Sequence, residues 1–261
     1  MSVNTTEMNS TANIKTALIL AAGRGTRLEE MTDYIPKCLV EVHGQSLMER
    51  MLSQLNSNGF ENAIIVVGYQ AEKIIQKFGY QYKNLRIEYV KNDFWETTNN
   101  VLSLYLAVSY LKEDFILLES DLILETQALQ SLRHTNMMAV EAFQSFMDGT
   151  VVALNEDKKV TTMYLKSSKQ RPRQLDAYFK TVNMYSFSVK NFQENIVPIL
   201  KEVLDEGKTD VYYELAFERA IEQGLISFRA VDFSTFKWAE IDNQEDWKRA
   251  SALFEETILQ E

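Results

Sequence analysis

The chain has 261 residues, 46% hydrophobic and 25% charged, enough for one sizeable core and near the upper range of a single α/β domain. Its 37 acidic residues against 27 basic ones leave a net charge of −10, a surface that repels phosphate backbones and argues against nucleic acid as the main partner. No apolar run approaches the roughly 20 residues of a membrane span, and one cysteine with two histidines builds neither an internal disulfide nor a His/Cys zinc site, so no membrane and a reducing, cytoplasmic setting are expected.

The segment Met1–Asn13 is polar, lacks the basic start and apolar stretch of a signal peptide, and reads as a disordered tail. Residues 14–261 read as a single domain. Thr16–Ala21 predicts a buried strand, and Ser46–Asn58 a helix with Leu47, Met48, Met51, Leu52 and Leu55 at helical spacing, stopped by Gly59. Ala63–Val67, Leu85–Val90 and Phe115–Glu119 are further expected strands, alternating with helices at Ala71–Phe78 and Asn100–Leu111. That alternation implies a mostly parallel sheet covered on both faces. Beyond about residue 138 the pattern changes to strands at Met138–Phe143, Thr150–Leu154, Val160–Leu165 and Phe179–Phe187, an antiparallel extension of the same sheet. Helices at Asn191–Glu206 and Val211–Gln223, strands at Phe228–Phe233 and Trp238–Ile241, and a helix at Gln244–Glu256 complete the chain.

The strongest local signal is Leu20-Ala21-Ala22-Gly23-Arg24-Gly25-Thr26-Arg27-Leu28, followed by Thr32 and Pro36-Lys37. Small residues and glycines directly after a buried strand let backbone N–H groups approach phosphate oxygens, and Arg27 and Lys37 add cationic groups for a polyphosphate. No Gly-Lys-Ser/Thr follows, so this is not a Walker loop, and the third glycine of a dinucleotide fingerprint is missing. Two acidic residues stand at strand ends, where ligands of parallel sheets bind: Asp121 after Phe115–Glu119, and Asp242 after Trp238-Ala239-Glu240-Ile241. Two carboxylates suffice for Mg²⁺, which takes its other ligands from water and phosphate. Read singly, Asp121 is a turn residue and Asp242 an N-cap for the last helix, and only the resemblance below makes them metal ligands.

The glycine stretch resembles the signature of the sugar-phosphate and phosphocholine nucleotidyltransferase superfamily, with Glu30 where that family usually has proline. The resemblance implies a Rossmann-like mixed, mainly parallel sheet flanked by helices, with an antiparallel acceptor-binding extension. It also implies triphosphate binding by Leu20, Ala21, Ala22, Gly23, Gly25, Thr26 and Lys37, charge stabilisation by Arg27 and Lys37, and Mg²⁺ on Asp121 and Asp242. Glu96-Thr97-Thr98-Asn99-Asn100 resembles a segment of cytidylyltransferases acting on phosphocholine or 2-aminoethylphosphonate, which would put Thr98, Asn99 and Ser120 beside the nucleotide, with Asn100 a helix cap. Met147–Val152 and Phe179–Tyr185 resemble phosphonate-activating members, so Lys180 is expected at the acceptor phosphate with Asp148 and Asn183 nearby. Tyr212, Tyr213 and Glu214 offer rings and a carboxylate to an ammonium group, or are simply core and rim. The choline-handling relatives carry a tryptophan in the stretch corresponding to 146–149, which this chain lacks; a primary amine needs hydrogen-bond acceptors instead, and Asp148 is expected to supply them.

The expected activity is transfer of CMP from CTP to a small amine-bearing phosphonate or phosphate, 2-aminoethylphosphonate ahead of phosphocholine, with release of pyrophosphate. A sugar-1-phosphate nucleotidyltransferase, a non-catalytic nucleotide sensor, and a glycosyltransferase reading Glu119-Ser120-Asp121 as its acidic motif stay open as alternatives. The assembly is open as well, a homodimer included.

Overall fold

A computed structural model of the chain describes residues 14–255. The expected tail, Met1–Asn13, and residue Glu256 of the last expected helix lie outside the described residues. In chain order the strands are β1 (Thr16–Ala21), β2 (Glu41–Val42), β3 (Gln45–Ser46), β4 (Asn62–Val67), β5 (Gln81–Tyr82), β6 (Leu85–Lys91), β7 (Phe115–Glu119), β8 (Leu122–Leu124), β9 (Met137–Ala142), β10 (Val151–Leu154), β11 (Val160–Tyr164), β12 (Phe179–Phe187), β13 (Arg229–Asp232) and β14 (Trp238–Glu240). The helices are α1 (Leu47–Ser57), α2 (Ala71–Phe78), α3 (Asn100–Ala107), α4 (Val189–Asn191), α5 (Val197–Asp205), α6 (Glu214–Glu222) and α7 (Gln244–Leu253).

The main sheet runs β11-β10-β12-β7-β1-β4-β6-β5, with β9 and β13 joined through β12. Strands β7, β1, β4 and β6 are mutually parallel, so their carboxyl ends share one edge. β12 lies antiparallel to β7 and carries the antiparallel extension, pairing with β10 near Lys180 and with β9 along its other edge. The expected extension of the sheet is therefore present and continuous with the parallel half.

β1 is buried at every position, because both faces of the sheet are covered. Leu18 and Leu20 face a core shared with α3, α5 and α6, where Phe115, Tyr185, Phe187, Phe192, Phe217 and Phe228 pack ring against ring. Ala17, Ile19 and Ala21 face the opposite core, built with α1 and α2. Truncating a fully buried ring such as Phe187 should cost about 3–5 kcal/mol. A third, smaller cluster joins Leu28 and Val40 of the glycine-loop region to Ile123, Ile241 and Ala250. It binds the two chain segments that carry Asp121 and Asp242 to the loop.

The helix starts follow side-chain chemistry. Ser46 caps α1 by accepting from the Glu49 N–H at 3.3 Å. Asn243 caps α7 in a reciprocal capping box with Asp246. The helix expected over 191–206 is broken by a π turn at Phe192–Ile196 before α5. Pro198 in the first turn of α5 has no N–H to continue the α ladder backwards. β8, which the sequence reading missed, pairs antiparallel with β14 in a small separate ladder. Among the described residues, no helix is long and apolar enough to cross a membrane.

Candidate active site

A cleft of about 1560 Å³ opens along the carboxyl edge of the parallel strands, between the glycine loop and the antiparallel extension. The loop leaves β1 with the Ala22 carbonyl accepting from Tyr69 N–H at 2.9 Å and the Leu20 carbonyl accepting from Ser120 N–H at 3.2 Å. Gly25 sits at φ +75°, and a Cβ there would lie 2.7 Å from the Lys37 Cβ. Glycine is therefore what lets the Lys37 stem lie against the loop and reach the cleft. Glu29 takes the positive φ of 51° beside Glu30, so the loop turns sharply without the proline.

Lys37 ends between the two acidic residues. Its Nζ lies 2.7 Å from Asp121 Oδ2 and 2.6 Å from Asp242 Oδ1, and Arg27 Nη2 lies 2.8 Å from the same Asp242 oxygen. Two far-apart stretches meet here through the β8–β14 ladder, continued by Ile241 N–H donating to the Asp121 carbonyl at 3.0 Å. Asn243 does the capping of α7, so Asp242 is not the N-cap and its carboxylate is free to face the cleft. Burial alone would lower the Lys37 ammonium, but Asp121 and Asp242 outweigh it and raise it, keeping the group charged. Burial alone would raise Asp242, and Lys37 with Arg27 reverses that, holding the carboxyl below its usual range.

The chemistry of this pair suits a hard cation. Both donors are carboxylate oxygens, and Asp121 Oδ1 is buried without a hydrogen-bond partner. Among the described residues no group of three or more His, Cys, Asp or Glu side chains converges on one metal position. Mg²⁺ held by Asp121 and Asp242 would complete its shell with water and phosphate oxygens.

In the same cleft Lys180 is almost fully buried, at 2% exposure. Its Nζ donates to the Thr181 carbonyl and lies 3.2 Å from Glu240 Oε2. Gly149, at φ +99°, leaves only 3.0 Å between a Cβ and Lys180 Cε, so its missing side chain makes room for the lysine. Asn183 adopts φ 56° at an irregularity of β12 and donates its amide to Glu240 Oε1, while accepting from Thr181 Oγ1 at 3.0 Å. Its amide thus orients Glu240. Glu214 is buried, lines the cleft, and has Oε2 without a hydrogen-bond partner. Burial, with Glu240 and Asp121 nearby, lifts its carboxyl to about 7 against the pull of Lys180.

The remaining expected residues divide. Leu20, Ala22, Gly23, Thr26, Thr98, Asn99, Ser120, Asp148 and Tyr212 line the cleft. Ala21 does not, because strand alternation turns its side chain into the α1–α2 core. Tyr213 does not either: its ring is fully buried, 5.0 Å from Phe217 and 6.0 Å from Tyr185. Its place is the aromatic core, as the core reading of that stretch had it, while exposed Tyr212 stands at the rim. Asp148 is 64% exposed and paired with Lys166. Burial tends to raise its carboxyl, but the hydrogen bond from Lys166 outweighs it and holds the group low.

Asn99, not Asn100, caps α3, with its Oδ1 accepting from Asn100 N–H at 2.8 Å. Asn100 instead bridges two elements: Nδ2 donates to Glu119 Oε1 at 3.0 Å, and Oδ1 accepts from Tyr213 N–H at 2.8 Å. Glu119 and Glu240 also line the cleft and were missed as site residues. Burial and neighbouring carboxylates raise the Glu119 carboxyl well above its usual range. A period-2 reading of Glu240-Ile241-Asp242 would have found Glu240 on the same face as Asp242.

The MobA-like NTP transferase domain matches residues 17–167, which include the glycine loop, Lys37 and Asp121. CMP-5'-(3-aminopropyl)phosphonate synthase of Streptomyces rubellomurinus is 31% identical over 242 residues, 91% of this chain but only 38% of that protein. The chain likewise spans about half the length of several bifunctional relatives. Choline-phosphate cytidylyltransferase of Streptococcus pneumoniae is 25% identical over 91% of this chain and 97% of its own length. The inositol-1-phosphate CTP transferase structure from T. maritima superposes with a TM-score of 0.71 at 24% identity, over 93% of this chain and 97% of the other, and shows the shared fold. The chain belongs to the MobA-like NTP transferase domain family, within the nucleotidyltransferase superfamily.

Proposed function

We propose that the protein is a Mg²⁺-dependent cytidylyltransferase that moves CMP from CTP onto a small amine-bearing phosphonate or phosphate, 2-aminoethylphosphonate ahead of phosphocholine. The observation that carries this reading is the pairing of two charge centres in one cleft. Lys37 and Arg27 stand with Asp121 and Asp242 beside the glycine loop, and Lys180 stands with Glu240 in the same cleft, which buried Glu214 also lines. CTP as donor is supported by the relatives named for CMP and cytidylyl transfer. A reducing cytoplasm suits the buried thiol of Cys38.

In this reading an oxygen of the acceptor's phosphonate attacks the α-phosphorus, the bond from that phosphorus to the bridging oxygen breaks, and pyrophosphate leaves. The oxygen is already ionised near neutral pH, so no general base is needed. Lys180 orients the acceptor's phosphonyl group, while Arg27 and Lys37 neutralise the triphosphate. The metal, when bound, supplies further positive charge to the phosphates. The acceptor's ammonium group goes to Glu214, a buried carboxylate with an unused oxygen, rather than to Asp148, which already has Lys166. A primary ammonium satisfies such an oxygen by a charge-assisted hydrogen bond, which a trimethylammonium group cannot donate.

Pyrophosphate release over a grid of four NTPs and a dozen small phosphates and phosphonates tests this directly. CTP with an aminoalkylphosphonate should give the highest kcat/KM. Preference for UTP or dTTP with a hexose-1-phosphate would replace the amine reading with the sugar one.

A further inference from the structure

One oxygen of each carboxylate assigned to the metal is already engaged by a cation of the chain itself. Lys37 Nζ occupies the gap between them, in contact with one oxygen of each, and Arg27 adds a second positive charge at Asp242. The lysine side chain is 13% exposed, so water does little to weaken these contacts, whereas Arg27, at 64% exposure, is a weaker partner. Magnesium takes oxygen ligands at about 2.0–2.1 Å and holds them in a near-octahedral shell. An ammonium touching the same two oxygens stands where that shell would be, and its charge repels a divalent ion at contact distance. Lysine and metal therefore compete for the pair in this arrangement.

Lys37 also has somewhere else to go. Its stem lies against Gly25, with Cβ, Cγ and Cδ all within 2.9 Å of where a Cβ of that glycine would be. The outer bonds of that flexible stem can turn, and the loop backbone it lies against is where a polyphosphate is expected to rest. A bare metal ion offers the lysine no new partner, but a triphosphate does.

We propose, resting on the assignment of Asp121 and Asp242 to the metal, that Lys37 closes the metal site until a nucleotide arrives. In the nucleotide-free protein Lys37 is the resident cation of the carboxylate pair. A nucleoside triphosphate draws Lys37 onto its phosphates and so releases Asp121 and Asp242 to the divalent ion. Metal and nucleotide then favour one another's binding to the protein, and by thermodynamic linkage the coupling is the same in either order.

Mn²⁺ binding followed by electron paramagnetic resonance, on the full chain without nucleotide, tests this without turnover. Lys37→Met should bind Mn²⁺ at least about tenfold more tightly than wild type, within the usual range of coupling between two ligands. Addition of Asp121→Asn to that variant should abolish the gain. Equal Mn²⁺ affinity in wild type and Lys37→Met, lost on Asp121→Asn, would overturn the gate while leaving the metal ligands intact. Retention of the Mn²⁺ site in the double variant would instead overturn the ligand assignment, and the gate with it. Should Lys37→Met fail to fold, the wild type carries the test through its unfolding temperature. Mn²⁺ alone should leave the Tm unchanged, yet raise it further when added with a non-transferable methylene analogue of CTP. A saturable rise with Mn²⁺ alone, as large as with the analogue present, would refute the proposal.

Discussion

Replacement of Glu214 by glutamine separates the acceptor reading from a purely structural one. Glu214 is 6% exposed and its carboxyl stands at about 7 instead of 4.5, chiefly through burial. In the unfolded chain the same group titrates near 4.5, so between these two values the native state holds a proton that the unfolded state has released. Stability from this group is full below 4.5 and is lost as pH rises through 7, a loss of about 3 kcal/mol at 1.36 kcal/mol per pH unit. Glutamine mimics the protonated form and does not titrate. Urea denaturation of both proteins between pH 4.5 and 8 should show Glu214→Gln gaining up to about 3 kcal/mol on wild type as pH rises. Function should move the other way. An ionised Glu214 is what an ammonium needs, so the wild-type KM for 2-aminoethylphosphonate should fall as pH rises through 7. In Glu214→Gln that KM should be flat with pH, and kcat/KM for the aminophosphonate lower by about 2–5 kcal/mol of transition-state binding, with little change in KM for CTP. Parallel stability curves would refute the titration. A gain in stability with an unaltered KM for the acceptor would leave Glu214 a buried acid outside the acceptor site.

Asp121→Asn and Asp242→Asn should each lower turnover by orders of magnitude with urea midpoints near wild type, because each removes one charge from the metal position; near-normal turnover at limiting magnesium would remove that residue from the metal site. Lys37→Ala should lose about 2–4 kcal/mol in kcat/KM at subsaturating CTP, the scale of one preorganised charge donor; an unchanged value would make Lys37 a structural tie between two aspartates. Asp148→Ala should leave the preference between 2-aminoethylphosphonate and phosphocholine unchanged, since its carboxylate is exposed and held by Lys166; a selective loss for the aminophosphonate would return the amine site to Asp148.

The parallel strands and their helices were legible because local signals agree with burial. β1, β7, β12 and α2 fall on their expected bounds, each an apolar run or a helical repeat closed by a turn residue or a change of charge. The glycine loop was legible for a related reason: its backbone conformation needs particular residues at particular positions, as Gly25 beside Lys37 illustrates. Short elements were less visible. β8, three residues long, has no period of its own and exists because β14 pairs with it from more than a hundred residues away. The π turn before α5 likewise reads as plain helix until Pro198 is considered.

The chain by itself determined which residue types were available to the cleft: a glycine-rich loop, two strand-end aspartates, and lysines at 37 and 180. Only the tertiary structure decided who faces whom. Lys37 meets Asp121 and Asp242 because the β8–β14 ladder brings positions 121 and 242 together. Tyr213 goes to the aromatic core while Glu214 lines the cleft, although the two are adjacent in sequence. Asp148 is exposed and paired, whereas Glu240, the last residue of β14, holds Lys180 and Asn183. The physical reason is that charge partnership and desolvation depend on distances between segments remote in sequence. Residue type states what a group can do, and burial beside particular neighbours states whether it is left free to do it.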